Sequence, residues 1–215
     1  MFRSKVLVGR VSNWMQQPSP ELRATTGATD SSASRPENDP VRVLIVAPSF
    51  DILGGQAVQA ARLLARLREE SSLSIGFLPI NPRLPGFLRR LQAIKYVRTI
   101  VTSLLYTTTL LKNVGKYDII HIFSASYFSF LLAPTPAILV AKLYGKKILL
   151  NYHSGEAEDH LARWKRSALP VIKLVDEIAV PSKYLVGVFA KFGLRSRPIY
   201  NLIETDEFSF RERLS

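Results

Sequence analysis

The sequence predicts an α/β protein built on a doubly wound parallel sheet, and three observations point there. Val41-Arg-Val-Leu-Ile-Val-Ala47 is a nearly continuous apolar run, the pattern of a strand covered on both faces. Short runs of the same kind recur at residues 73–80, 118–123, 147–152, 176–180 and 198–201. Segments with helical spacing lie between them, and strands alternating with helices indicate right-handed βαβ units.

The intervening segments set the predicted helices. Residues 56–70 place Val58, Ala61, Leu64, Ala65 and Leu67 near helical spacing. Residues 84–114 hold one or two helices. A helix over 128–144 is interrupted or begun around Pro134 and Pro136, and one over 161–174 breaks near Pro170. Residues 182–192 read as a helix with Ser182 as its N-cap. No internal repeat at a solenoid period is visible.

The chain has 215 residues, enough for one large domain, or one domain with a tail. Residues 16–40 are rich in Ser, Thr, Pro and Ala and hold almost no large apolar side chain. Such a stretch cannot bury enough surface to offset its ordering entropy. Residues 1–40 are therefore predicted to be a disordered tail and residues 41–200 the folded domain.

The absence of cysteine excludes a disulfide framework and a thiolate metal site, and agrees with a reducing compartment. The net charge is +12, of which +11 belongs to residues 41–215. That field favours phosphate groups, anionic lipid headgroups or nucleic acid. The first 15 residues have no apolar run long enough for an export signal, so a cytoplasmic location is expected. Residues 122–141 are 20 consecutive uncharged residues, the length of a membrane span. Their serines and prolines argue for a buried loop and helix instead.

In a doubly wound sheet, ligands bind beyond the carboxyl ends of the strands. The loops after Ala47, Phe123, Tyr152 and Val180 are thus the places for a site. The first contains Gly54 and Gly55 directly before a helix, where the backbone can approach a ligand and free N–H groups can receive phosphate. It is not G-x-G-x-x-G, and no P-loop lysine follows, which counts against a dinucleotide oxidoreductase and a Walker site. A Gly-Gly turn that merely starts a helix is the plainer alternative.

His121 lies within an apolar strand, where a hydrogen-bonded core histidine is more common than a catalyst; Ser124 and Ser126 follow it. His153 emerges just past the next strand in His153-Ser-Gly-Glu156, placed to meet a cleft and suited to hydrogen bonding or proton handling. Glu156, Glu158, Asp159 and His160 match no zinc spacing. Carboxylates at a helix start are their simpler reading, so no metal is expected. His121, Ser124, Ser126 and Glu156 are candidates for holding an acceptor.

Taken in order, these loops resemble the N-terminal domain of the family 4 (group 1) glycosyltransferases. The matching pieces are Val43-Leu-Ile-Val-Ala-Pro with Gly54-Gly55, Tyr117-Asp-Ile-Ile-His121, and Lys146-Lys-Ile-Leu-Leu-Asn-Tyr-His153-Ser-Gly155. Val180-Pro-Ser182-Lys-Tyr-Leu, Asn201-Leu-Ile203 and Phe208 complete the series. The resemblance implies a GT-B fold, two Rossmann-like domains facing across a cleft, with this one on the acceptor side. It implies transfer of a sugar from a nucleotide sugar, as co-substrate and without a metal or other cofactor, to a glycan or lipid-linked acceptor. It places Gly54 and Gly55 near the donor diphosphate and makes His153 the histidine that reaches the transferred sugar.

In that family the Asn-x-Ile segment leads into the donor-binding domain, whereas here residues 201–215 are expected to be only the start of that linker. The sequence would then be a fragment, a split enzyme completed by a second chain that supplies the donor domain, or a degenerate remnant, and alone it is expected to be inactive. The competing reading is a non-catalytic Rossmann-like module that binds a nucleotide or an anionic partner.

Between Glu70 and Asp118 there are seven basic residues and no acidic one: Arg83, Arg89, Arg90, Lys95, Arg98, Lys112 and Lys116. Interleaved Phe87, Leu88, Leu91, Ile94, Val97, Val101, Leu104 and Leu105 recur at helical spacing. A basic amphipathic helix of this kind can lie in a layer of acidic headgroups, so a peripheral position at the inner face of a membrane is expected. A helix packed on the sheet with its charges in water is the bland alternative. No nucleic-acid motif accompanies the run, and nucleic acid is not an expected partner.

Overall fold

The computed structural model describes residues 39–51, 54–82 and 95–203, and for Lys95 and Tyr96 the backbone alone. Pro40–Ser215 is one compact unit; of the other, Met1–Asp39, only Asp39 is described. The expected tail over residues 1–38, the basic stretch 83–94 and residues 204–215 lie outside the described residues.

The chain runs β1 (Val41–Ala47), α1 (Gly55–Leu67), β2 (Leu73–Pro79) and α2 (Lys95–Asn113), followed by a 3-10 turn (Val114–Lys116). It continues β3 (Ile119–Ser124), α3 (Tyr127–Leu132), α4 (Pro134–Leu143), β4 (Lys147–Tyr152), α5 (Ala157–Arg163) and α6 (Lys165–Ile172). The last elements are β5 (Glu177–Val180), α7 (Lys183–Lys191) and β6 (Arg197–Pro198). The six strands form one sheet in the order β2-β1-β3-β4-β5-β6, every neighbouring pair parallel. The protein is α/β with a doubly wound, Rossmann-like sheet, as the strand–helix alternation predicts.

The two faces hold separate cores. Ile45, Ala47 and Phe123 point to one side, where Ala60 and Leu64 of α1 cover them. Leu44, Val46, Ile120, Ile122, Ile148, Leu150 and Val180 point to the other, against Leu110 of α2, Ile138 of α4, Ile172 of α6 and Phe189 of α7. Successive side chains of a strand alternate between faces, so strands buried on both sides must be apolar almost throughout. The direction of winding reverses at β1, with β2 on one side and β3 on the other. The carboxyl ends of β1 and β3 therefore flank the natural ligand crevice.

Two aspartates fix the opposite edge. Asp118, just before β3, accepts from the Arg42 N–H at 2.9 Å and pairs with its guanidinium at 3.0 Å. Asp176, just before β5, accepts from the Ile148 N–H at 2.9 Å and from Lys147 at 3.0 Å. Partial burial pushes the Asp176 carboxyl up, but the Ile148 N–H and the Lys147 ammonium outweigh it and hold the group below its usual range. A depressed folded value gives stability that is present above the ordinary carboxylate pKa, about 4, and is lost as pH falls through the folded value. Asp176→Asn is therefore expected to lower Tm by about 2–4 °C near neutral pH and to flatten the acid limb of Tm against pH. Melts across that range check it.

Some local expectations are corrected. The bend between α5 and α6 falls at Trp164 rather than Pro170, which sits inside α6. Trp164 ends one helix and starts the next: its N–H donates to His160 O, and its carbonyl accepts from Ala168 N at 2.8 Å. Its ring is set against Phe128 and His160. The last strand has only two residues. Residues 122–141 are divided among the end of β3 and the short helices α3 and α4, which meet at Ala133. Among the described residues, no helix is long and apolar enough to cross a membrane.

Candidate functional site

The loops after β1, β3, β4 and β5 share one edge because all strands run the same way. At the first, Gly54 is extended (φ −153°, ψ 150°) and Gly55 begins α1. A Cβ added at either glycine would meet nothing within 4 Å. Neither packing nor backbone conformation requires glycine at Gly54, and both residues face open space. Gln56 ties this helix start to its neighbours. Its side-chain amide donates to Ser124 O at 3.0 Å and His153 O at 3.2 Å, while His153 N donates to Ser124 O at 3.0 Å.

Two depressions meet at His153. One, of about 300 Å³, lies between the β4 and β5 loops and is lined by Ser154, Gly155, Ser182 and Tyr184. The other, of about 310 Å³, is lined by Gly55, Gln56 and Gln59. His153 and Asn201 line both. Asn201 is present because the chain, after leaving β6 at the far edge of the sheet, returns to α1. Leu202 N donates to Gln59 Oε1 at 2.9 Å, and Leu202 O accepts from Arg62 at 2.8 Å.

His153 stacks on Phe123 with centroids 5.5 Å apart, and Phe123 stacks on His121 at 5.3 Å. His121 is 7% exposed, and its Nε2 has no partner. Burial, and then the nearby His153, push the His121 pKa down to about 4. Burial also lowers that of His153. Both rings are neutral at pH 7, so His153 meets a ligand as a hydrogen-bonding group without charge. Because these folded values lie below the ordinary histidine pKa, the unfolded chain binds more protons in the window between about pH 6.5 and pH 4. Stability should therefore fall on acidification through that window. Imidazole NMR titration should show His121 protonating near pH 4 and His153 below the ordinary histidine value.

The other candidates are placed differently. Ser124 has no exposed surface, and its hydroxyl donates to Ala125 O. Ser126 is 7% exposed and bonds to Ser154 and Tyr152 beneath the rim. Glu156 is exposed at the start of α5. Glu158 pairs with Lys191 at 2.7 Å, and Asp159 with Arg163 at 2.8 Å and with the Tyr127 hydroxyl. His160 turns inward and is fully buried. Among the described residues, no group of three His, Cys, Asp or Glu can hold a metal. Ser182 caps α7, accepting from Leu185 N at 3.3 Å.

The structure thus brings Gly55 and His153 to one depression and adds Gln56, Ser154 and Ser182 to the rim. Gln56 was legible only as the residue after Gly-Gly. The Tyr152–His160 pairing had no sequence signal, since the two are eight positions apart on different elements. No protein-family model and no curated protein matches this sequence.

Proposed function

We propose that this domain is the acceptor-side half of a glycosyltransferase of the GT-B kind, which transfers a sugar from a nucleotide sugar to a glycan or lipid-linked acceptor. The observation that carries the reading is the position of His153. A neutral imidazole stands where two depressions meet, with an open Gly-Gly helix start on one side and a hydroxyl-lined hollow on the other. A helix N-terminus with unhindered glycines suits a diphosphate, and a neutral imidazole suits a sugar hydroxyl. The likeness of the loops to family 4 glycosyltransferases supplies the reaction class. Sugar nucleotides added to the isotope-labelled chain should shift the amides of Gly54, Gly55 and His153. Transfer of radiolabelled sugar by the chain alone should be negligible, because most donor contacts in such enzymes belong to the second domain. If a panel of sugar nucleotides leaves all three amides unmoved, the reading fails.

The location we propose is the surface of an acidic membrane. Between Glu70 and Glu156 the only acidic residue is Asp118, which is paired with Arg42. On α2 and α4, Ile100, Leu104, Leu139 and Leu143 are 49–77% exposed, and the exposed Arg98, Lys112 and Lys142 lie on the same two helices. Exposed apolar side chains on helices that carry cations and no carboxylate suit anionic headgroups over acyl chains. The chain should float with anionic liposomes, and binding should fade with salt and weaken about tenfold in Leu104→Gln/Leu143→Gln. Indifference to anionic vesicles at low salt would overturn this location.

A further inference from the structure

Four side chains form a hydrogen-bonded chain beneath the β4 loop. His160 Nδ1 lies 2.7 Å from the Tyr152 hydroxyl. That hydroxyl lies 2.9 Å from Ser126 Oγ, which donates to Ser154 Oγ at 2.7 Å. Tyr152 and His160 have no exposed surface and Ser126 has 7%, so water does not compete for these bonds.

A hydroxyl owns one hydrogen. Ser126 spends its own on Ser154, so Tyr152 must donate to Ser126. Tyr152 then has only lone pairs to offer His160, and the imidazole proton must sit on Nδ1. His160 Nε2 is buried with no partner among the described residues, and the centroid of its ring lies 5.3 Å from those of Tyr127 and Phe130. A bare lone pair is the lesser cost there, since buried N–H groups are the rarer orphans. Every hydrogen in the chain therefore points outward, from His160 toward Ser154.

Ser154 ends the chain at the surface. Its oxygen accepts from Ser126 and from Glu156 N at 3.2 Å, which fills both lone pairs. Its own hydrogen is unspent, and the residue lines the hollow of about 300 Å³ between the β4 and β5 loops. Ser182 lines the same hollow; its oxygen accepts from Leu185 N, and its own hydrogen meets no acceptor among the described residues. Among the described residues, no carboxylate lines this hollow.

We propose that this hollow is an oxyanion subsite, in which Ser154 and Ser182 donate hydrogen bonds to a phosphoryl or carboxylate group of the ligand. A wall that presents two hydroxyl hydrogens and no carboxylate from the described residues favours anionic oxygen, where hydrogen bonds are strongest. The inference follows from counting hydrogens and does not depend on the sugar-transfer reading.

Titration of the labelled full chain with inorganic phosphate, and separately with acetate, tests it and tells the two anion classes apart. Saturable shifts at the Ser154, Gly155 and Ser182 amides are expected with at least one probe, about tenfold weaker in Ser154→Ala, the loss of one charge-assisted hydrogen bond. Amides that ignore both probes, or binding unchanged in Ser154→Ala, would overturn the subsite. Long-range imidazole spectra test the chain behind it. His160 should be the Nδ1–H tautomer and should switch toward Nε2–H in Ser126→Ala, where Tyr152 is released to donate to Nδ1. A wild-type Nε2–H tautomer, or one unmoved by Ser126→Ala, contradicts the outward chain. Phosphate binding here without any response to sugar nucleotides would sink the glycosyltransferase proposal and leave the subsite standing.

Discussion

His153→Ala is expected to lower kcat/KM for sugar transfer about a hundredfold when a donor-binding domain is supplied in trans, the scale of losing a hydrogen bond that strengthens in the transition state. The ring stands at the junction of the two depressions and is held there by its stack on Phe123. Its backbone N–H and carbonyl are bonded to Ser124 O and Gln56 regardless of the side chain, so the loop should keep its shape and Tm should move little. Gly55→Val is the companion change. A Cβ there meets nothing in the free protein, so folding should again be nearly unaffected, while added bulk crowds whatever lies against the helix start. The expected result is weaker donor binding with a preserved Tm, seen by calorimetric titration. Kinetics unchanged in both variants would return these residues to a purely structural role.

The largest effect on stability is expected from Phe189→Ala. Phe189 on α7 has no exposed surface and meets Tyr152 edge to face at 5.2 Å. It belongs to the core that also holds Ile178 and Val180 of β5. Truncation removes the transfer free energy of a phenyl ring and leaves a cavity that close-packed neighbours fill only in part. The cost should be about 3–5 kcal/mol, equivalent to a fall in Tm of about 6–20 °C for a domain of this size. Because Tyr152 carries the bonds to Ser126 and His160, loosening Phe189 should also disturb the β4 loop. Denaturant unfolding followed by tryptophan fluorescence measures the loss. A cost below about 1 kcal/mol would mean that the α7–sheet contact is not close-packed.

What the sequence by itself determined is the sheet and the edge at which its candidate residues gather. Strands buried on both faces have to be apolar at nearly every position, and Val41–Ala47 and Lys147–Tyr152 show this without any knowledge of their neighbours. Strand–helix alternation then forces parallel pairing, which collects Gly54, Gly55, His153 and Ser182 at one end of the molecule. The Ser182 cap was legible for the same local reason, since it depends only on a hydroxyl three residues before a free N–H.

What only the tertiary structure decided depends on residues far apart in the chain. His121, within β3, and His153, just past β4, were both candidates in the sequence; the structure encloses the first and opens the second onto two depressions. Asn201 reaches the site because the segment after β6 is drawn back to Gln59 and Arg62, some 140 positions earlier. The break between α5 and α6 falls at Trp164, whose ring is set against Phe128 of α3, and not at Pro170. Hydrogen-bond direction along His160, Tyr152, Ser126 and Ser154 exists only once side chains of β4, α5 and the loops after β3 and β4 are brought together. Local sequence encodes period and capping, which act over a few residues; burial and hydrogen-bond partnership are properties of the packed whole.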